Sequence, residues 1–277
     1  MLLLKQNSKG DAVVLLQELL QEAGYTIAVT GIMNTETVAA VKDFQLKNNL
    51  VSDGIVFTKT WTRLLQNSTL SLEKIDQKFL SESAIISLAD QLGLETAVVK
   101  AVNKVESSGR GFLIDGRPKI LFEGHIFWSE LKKRKIDPAA IVAGNENVLY
   151  PKWTKKFYKG GAAEFDRLDQ ACNILNSSAC VEAAHASASW GLFQIMGFHY
   201  ASLGYNSVMD FVSEMKLSED NHLKIFGKFL MVNKLIPYLQ KKQWAEFARS
   251  YNGGGYKQNK YDEKLEKAYA EFSKGLV

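Results

Sequence analysis

A pattern of eight residues occurs twice near the start of the chain and limits what this part can fold into. Gly31-Ile32-Met33-Asn34-Thr35-Glu36-Thr37-Val38 is followed 23 positions later by Gly54-Ile55-Val56-Phe57-Thr58-Lys59-Thr60-Trp61. In each copy a glycine turn precedes a threonine that can cap a helix, and apolar residues follow at helical spacing. The apolar positions between Val13 and Leu20 predict a further amphipathic helix. Residues 1–66 are therefore predicted to form a small domain of three short helices.

The rest of the chain has the pattern of one larger, mainly helical domain. Residues 67–82 are largely polar and predict a linker, which leaves 83–277 as the second domain. Phe112 to Glu123, with the turn Asp115-Gly116-Arg117-Pro118 inside it, predicts a β-hairpin. The apolar stretch from Leu223 to Leu235 predicts a buried helix that ends at Pro237. The predicted fold class is mainly α (α+β), with one short β-hairpin in the larger domain.

Composition and charge are those of an ordinary globular protein. The 277 residues are 46% hydrophobic and 23% charged, with a net charge of +4. Residues 131–160 hold eight Lys or Arg against two Asp or Glu. Such a run is typical of a solvated face, and it would also suit contact with an anionic outer surface. No metal-ligand spacing, phosphate-binding glycine loop or Ser/His/Asp arrangement occurs, so we expect no cofactor and no metal. We also expect a monomer without a nucleic-acid partner.

The cysteine count and the N-terminal residues indicate the cellular compartment in which the protein is made. Only Cys172 and Cys180 occur; a reduced pair is the default, and the sequence also allows a bridge. No apolar run is long enough for a signal peptide or a membrane span. We therefore expect synthesis in a cytoplasm without an export signal.

Glu106 is the residue on which the chemistry depends most. It continues an apolar row with Val98 and Val102, and Ser107-Ser108-Gly109 then predicts the end of the helix. Apolar surroundings and the negative end of the helix dipole both disfavour the carboxylate, which would raise its pKa as a general acid requires. A glutamate that reaches solvent or caps a neighbouring helix would fit the same position.

The N-terminal pattern of glycines, glutamines and apolar residues is specific enough for comparison with known families. Gly10-x-x-Val13-x-x-Leu16-Gln17-x-x-Leu20, then Gly31 with Thr37, Phe44 and Gln45, then Asp53-Gly54-Ile55 with Trp61 and Leu64, is similar to the peptidoglycan-binding domain of wall-degrading enzymes. The resemblance covers residues 6–66. Thr30 stands where an Asp is common and Phe57 where a Gly is common, and both are turn positions.

The larger domain contains three short motif segments in a recognisable order. They are Glu106-Ser107, Ser189-x-Gly191-Leu192-Phe193-Gln194-Ile195 and Tyr251-Asn252-Gly253-Gly254. In order and rough spacing these segments resemble those of the lysozyme-like superfamily. Together with Gly116-Arg117-Pro118 and the stretch that runs to Phe127, they are most similar to the N-acetylmuramidase domain of phage endolysins, over roughly residues 90–270. Gly124 takes a position that is often Arg in that family, so a substrate contact or a surface charge would be missing.

The resemblance implies roles for single residues. Glu106 would donate a proton to the glycosidic oxygen, while Gln194, Tyr251 and Asn252, with Ser189 of the second motif, would contact the sugars. Helix packing would also explain Gln194 and Tyr251. Hydrolysis usually needs a second carboxylate. The candidates are Asp115, which a turn explains, and Glu123, which is expected within an apolar strand and is preferred. Pairing of Glu123 with Arg117 or His125 is the other explanation.

The function implied is that of an endolysin acting on peptidoglycan. It would cleave the β-1,4 bond between N-acetylmuramic acid and N-acetylglucosamine and lyse the cell. The alternatives are a lytic transglycosylase, which forms 1,6-anhydro products without a second carboxylate, and a wall-binding protein that has lost activity. Without an export signal, the enzyme would be made in the host bacterial cytoplasm. It would reach the wall after the membrane is permeabilised, or from outside.

Overall fold

The computed structural model describes residues 2–68, 77–107 and 109–274. Its helices are α1 (Asp11–Glu22), α2 (Thr35–Lys47), α3 (Thr58–Asn67), α4 (Glu82–Leu92), α5 (Thr96–Glu106), α6 (Gly124–Lys133), α7 (Ala163–Cys172), α8 (Ser178–Ala186), α9 (Val208–Met215), α10 (Glu219–Val232), α11 (Ile236–Gln240), α12 (Trp244–Asn252) and α13 (Tyr261–Lys274). The strands β1 (Ile120–Phe122), β2 (Ala188–Trp190) and β3 (Ile195–Met196) form one sheet in that order. This architecture confirms the predicted mainly α class. Residues 69–76 of the predicted linker, and Ser108, lie outside the described residues.

By their internal contacts the residues form two compact units. Met1–Ile75 groups with Phe112–Ser189, and Asp76–Gly111 groups with Trp190–Val277. The predicted domains 1–66 and 83–277, with the linker 67–82, are continuous stretches of sequence. The contact units each combine two separate stretches, so they do not test this division, and it stays a prediction. In the described part of the chain, no helix is both long and apolar enough to span a bilayer.

The three N-terminal helices enclose an apolar core. Its members lie below 10% exposure and come from all three helices and the turns between them, including Leu16, Leu20, Met33, Phe44 and Trp61. Ile114, which lies far along the chain in the same contact unit, belongs to this core as well. The N-terminal helices therefore share their core with a later segment.

Two buried glutamines explain why the sequence pattern repeats. The side-chain amide of Gln17 donates to Thr37 Oγ1 over 2.9 Å, and that of Gln45 donates to Thr60 Oγ1 over 3.1 Å. The repeated threonines thus receive hydrogen bonds from the preceding helix, and the prediction that threonines cap these helices is wrong. Asn34 caps α2 through its side chain, and α3 has no side-chain cap.

The second unit is built around α5. Its buried side chains are Ala97, Val98, Val99, Ala101 and Val102, and the helix packs against α4 and α13. The neighbouring α10 begins at a Ser218 side-chain cap and buries Phe226 and Leu230. It ends at Val232, earlier than predicted, because the chain turns there and Pro237 instead lies in the first turn of α11.

The predicted hairpin is present only at its turn. The Leu113 N–H donates to the Arg117 carbonyl over 2.8 Å, and Phe112 forms a single bridge with Pro118. The strand that follows, β1, pairs with β2 instead. The expectation that Glu123 lies within a strand is also wrong, since β1 ends at Phe122 and Glu123 is the N-cap residue of α6.

Gly124 is a glycine because its neighbours leave no room for a side chain. An added Cβ would lie 2.4 Å from Cε1 of Tyr150 and 2.6 Å from the carbonyl oxygen of Val148. The Gly124 N–H also lies 3.3 Å from the Tyr150 hydroxyl, to which it donates. In this chain the position therefore serves close packing at the start of α6.

Candidate active site

Glu106 is the last residue of α5 and is partly buried at the end of its apolar face. Burial raises the pKa of its carboxyl to about 7. Two neighbours act in the opposite direction: the Asn252 amide donates to Glu106 Oε1 over 3.1 Å, and the charge of Lys264 favours the carboxylate. Because burial outweighs both, the Glu106 carboxyl holds its proton to a far higher pH than an exposed glutamate does.

Asn252 and Tyr251 reach this site from the end of α12. The ring of Tyr251 stacks on Phe247 at 5.7 Å between centroids and meets Phe226 and Phe229 edge to face. Burial and the nearby Glu106 carboxylate raise the pKa of the Tyr251 hydroxyl. Ring packing thus fixes the end of α12, where Asn252 lies. Contact of Tyr251 with sugars stays a prediction.

Gln194 occupies a tight turn between β2 and β3. Its backbone is left-handed, with φ of 49°, and its amide donates to the Gly191 carbonyl over 2.8 Å. His222 supports the same turn, because its Nδ1 accepts a hydrogen bond from the Leu192 N–H over 3.1 Å. Burial lowers the pKa of His222 to about 4, so at neutral pH the ring is uncharged and can accept this hydrogen bond.

The other two predicted site residues belong to the other contact unit. The Glu123 N–H donates to the Ser187 carbonyl over 3.0 Å, and Ser189 is a buried residue of β2 whose hydroxyl lies 3.5 Å from the Leu121 carbonyl. The two residues are thus on neighbouring backbone segments, where β1 meets β2. Their contact with substrate stays a prediction.

The Glu123 carboxylate is held by an aromatic hydroxyl. Tyr158 donates to Glu123 Oε2 over 2.6 Å, and His125 Nδ1 lies 3.3 Å from the same oxygen. Burial, with the Glu123 charge, raises the pKa of Tyr158, so this hydroxyl stays a donor. Arg117 pairs with Asp115 at 2.6 Å, which accounts for the turn aspartate.

Four supporting residues were not predicted from the sequence: Tyr158, His222 and the buried pair Glu164 and Arg167. The pair had a signal in the sequence, because charges three positions apart lie on one face of a helix beside the apolar Phe165 and Leu168. Tyr158 and His222 had none, since their partners are separated from them by 35 and 30 positions.

Both cysteines are free thiols. Burial raises the pKa of Cys172 to about 12, and Cys180 Sγ donates to the Ala171 carbonyl. The thiols therefore pack within α7 and α8 and stay protonated at neutral pH.

Comparison with known proteins gives matches over most of the chain. The family described as N-acetylmuramidase matches residues 95–273, and the family described as putative peptidoglycan binding domain matches residues 9–64. No curated protein matches the chain. Among solved structures, the crystal structure of Burkholderia AP3 phage endolysin is similar, with 38% sequence identity and a TM-score of 0.67. That alignment covers 99% of this chain and 100% of the other.

Proposed function

The chain belongs to the N-acetylmuramidase family, and from that premise we propose that it is an endolysin that hydrolyses peptidoglycan. The family matches confirm both resemblances expected from the sequence, the wall-binding domain and the muramidase. The substrate bond is the β-1,4 link between N-acetylmuramic acid and N-acetylglucosamine. One observation carries the proposal: within the muramidase match, the Glu106 carboxyl is partly buried at the end of an apolar helix face and accepts a hydrogen bond from Asn252, which suits a general acid.

In the proposed reaction Glu106 is the general acid. Its carboxyl donates a proton to the glycosidic oxygen as the bond to the anomeric carbon breaks, so the leaving sugar departs as a neutral alcohol. The Asn252 amide holds Glu106 Oε1, which directs the orientation of the acid. Burial keeps the proton in place until the leaving oxygen takes it.

Glu123 is proposed as the second carboxylate. It would stabilise the positive charge at the anomeric carbon or position the water that adds there. The Tyr158 hydrogen bond supports this role, because it fixes one carboxylate oxygen in place. Ser189, Gln194, Tyr251 and Asn252 are proposed sugar contacts.

The identity of the products tests hydrolysis directly. Purified peptidoglycan is digested, and the released fragments are weighed by mass spectrometry. A hydrolase gives fragments with a reducing N-acetylmuramic acid end. Fragments lighter by one water, with a 1,6-anhydro end, would identify a lytic transglycosylase. Absence of any fragment would identify a wall-binding protein without activity.

The basic stretch 131–160 is proposed to contact an anionic outer surface. Lys133 and Arg134 pair with Glu130, so their charge is partly neutralised. Near the end of the stretch, Lys152, Lys155 and Lys156 are exposed beside Trp153, which is 59% exposed. These three lysines are therefore the best placed to meet such a surface.

Reversal of these charges tests the contact. The triple variant Lys152→Glu, Lys155→Glu, Lys156→Glu is compared with the wild type on intact cells and on purified walls. A loss of activity that is confined to intact cells would support the proposed contact with an anionic surface. Activity on intact cells equal to that of the wild type would contradict it.

We also propose that the enzyme is a monomer made in the host cytoplasm and that it acts after the membrane is permeabilised. The similarity to a phage endolysin supports this access route. Expression inside cells should leave them intact until a membrane-permeabilising agent is added. Lysis without that agent would contradict the route, and light scattering of the purified protein tests the monomer.

A further inference from the structure

We propose that the buried ion pair of Glu164 and Arg167 positions Glu123 for the reaction. The inference rests on the proposed role of Glu123 as the second carboxylate. Glu164 and Arg167 lie one turn apart on α7 and pair at 2.7 Å, with 0% and 5% of their side chains exposed. Neither residue is placed in the reaction by the family resemblance described above.

Glu164 joins two backbone segments that are far apart in the sequence. Its Oε2 accepts from the Phe122 N–H over 3.1 Å, and Phe122 directly precedes Glu123. Its Oε1 accepts from the N–H groups of Lys159 and Gly160 over 2.6 and 3.0 Å. These two residues directly follow Tyr158, the hydroxyl donor to Glu123.

Arg167 completes the arrangement from the other side. Its Nη1 donates to the Phe122 carbonyl over 2.8 Å, so both peptide groups of Phe122 are held. Its Nη2 donates to the Tyr150 hydroxyl over 3.4 Å, and that hydroxyl accepts from the Gly124 N–H. The backbone is therefore fixed immediately before and immediately after Glu123.

The ion pair of Glu164 and Arg167 thereby fixes the angle and distance of the hydrogen bond between Tyr158 and Glu123. Glu123 and Tyr158 meet over 2.6 Å, and each is anchored through its neighbours to the same Glu164 carboxylate. A buried ion pair is weak evidence for stability, because apolar residues of similar volume often serve as well. Fixed geometry is what this charged pair adds, since a planar guanidinium and a carboxylate together specify several directions at once.

The test compares matched carboxylate variants in the full chain. In Glu164→Gln an amide –NH2 can replace the oxygen that accepts from Phe122 and Arg167, so both would lose a partner. We expect kcat on soluble glycan strands to fall about 10- to 100-fold with little change in KM. The pH at which activity declines should not move, because Glu106 sets it. Glu130→Gln is the control, since Glu130 is also buried and accepts from Lys133 and Arg134, and it should keep kcat.

A double-mutant cycle separates positioning from folding. Tyr158→Phe removes the direct hydrogen bond to Glu123, so its effect on kcat should not add to that of Glu164→Gln. Arg167→Lys keeps a charge but loses the planar fork, and it replaces Glu164→Gln if that variant does not fold. Full kcat in a folded Glu164→Gln or Arg167→Lys variant, or additive effects, would overturn the proposal.

Glu123→Gln distinguishes this failure from failure of the proposed function. If Glu123→Gln keeps full kcat, the second-carboxylate role fails, and the positioning proposal fails with it. If Glu123→Gln lowers kcat while the folded Glu164 and Arg167 variants do not, only the positioning proposal fails.

Discussion

Burial and two neighbouring groups govern the proton of Glu106. Burial at the end of α5 disfavours the charge, whereas the Asn252 amide and Lys264 favour it. The result is a carboxyl with a pKa near 7, far above that of an exposed glutamate. An acid with this pKa can hold a proton and still give it up near neutral pH, which is the compromise that general acid catalysis requires.

The first prediction concerns the pH dependence of cleavage. Because Glu106 must be protonated, kcat/KM on soluble glycan strands should fall about tenfold per pH unit above pH 7. A ¹³C NMR titration of the side-chain carboxyls should place Glu106 at the same midpoint. A Glu106 titration close to the ordinary glutamate value, near 4.5, would show that burial does not control this proton.

A second prediction concerns stability in the variant Glu106→Gln. The pKa of Glu106 is about 7 in the folded chain and near the ordinary glutamate value of 4.5 in the unfolded chain, so ionisation of Glu106 removes stability as pH rises through this window. Glu106→Gln lacks this loss and should be more stable than the wild type by about 2–3 kcal/mol at pH 8. At pH 4 the two should match. Urea unfolding at both pH values measures the difference, and equal stability at pH 8 would contradict it.

At the scale of elements, short turns position residues of the site just as the helices do. Gly191 has a left-handed φ of 71°, and a Cβ there would lie 2.8 Å from the His222 ring. Gly111 contacts the same ring and donates its N–H to the buried Glu219 carboxylate over 2.6 Å. His222 therefore packs against both the loop that follows α5 and the turn that carries Gln194.

The third prediction uses two glycines that both have a left-handed φ but differ in their surroundings. Gly204→Ala, at φ of 83° with nothing within 4 Å, should cost about 1 kcal/mol from backbone strain alone. Gly191→Ala adds the clash with His222 and should cost about 2–4 kcal/mol in total. It should also lower cleavage, because the Gln194 turn must move. Thermal unfolding measures both, and equal costs would show that the contact with His222 is unimportant.

The elements differ in how far the sequence predicted them. The end of α5 was predictable because an apolar row is followed directly by residues that stop a helix. Strands β2 and β3, of three and two residues, are too short to show an alternating pattern. Glu123 was misplaced because nothing in the sequence marks Gly124 as a helix start; its close contact with Tyr150 is visible only in three dimensions.

At the scale of the whole molecule, the N-terminal helices share their apolar core with a later segment, which the order of domains in the sequence does not reveal. Ile114 packs into the core of the N-terminal helices, and the Val29 N–H donates to the Lys159 carbonyl over 2.7 Å. Contacts between distant residues of the active site are equally hard to predict from the sequence. Glu106 and Asn252, for example, form a hydrogen bond although they are 146 positions apart. Motif resemblance identified both residues, but only the folded chain gives their hydrogen bond.

The fourth prediction follows from that shared core. A fragment of residues 77–277 should unfold at a lower temperature than the full chain, because it exposes Ile114 and loses the partner of Lys159. Calorimetry of the two proteins measures the difference. An unchanged midpoint would indicate that the N-terminal helices are independent of the rest.

The N-terminal domain also has a consequence for activity. Tethering a wall-binding domain to a catalytic domain raises the local concentration of the enzyme at an insoluble substrate. The full chain should therefore exceed the 77–277 fragment on intact walls by a larger factor than on soluble glycan strands. Equal ratios on both substrates would indicate that the domain acts only through stability.

The central claim, that Glu106 is the acid, is tested most directly by the rate of Glu106→Gln on purified peptidoglycan. The matched control is Glu95→Gln, at the exposed opposite end of the same helix. We predict that Glu106→Gln keeps its fold and still sediments with walls, but releases reducing ends at least about 100-fold more slowly, while the control is unaffected. A folded Glu106→Gln variant with more than about a tenth of wild-type activity would contradict the claim, because that loss is below the range for general acid catalysis.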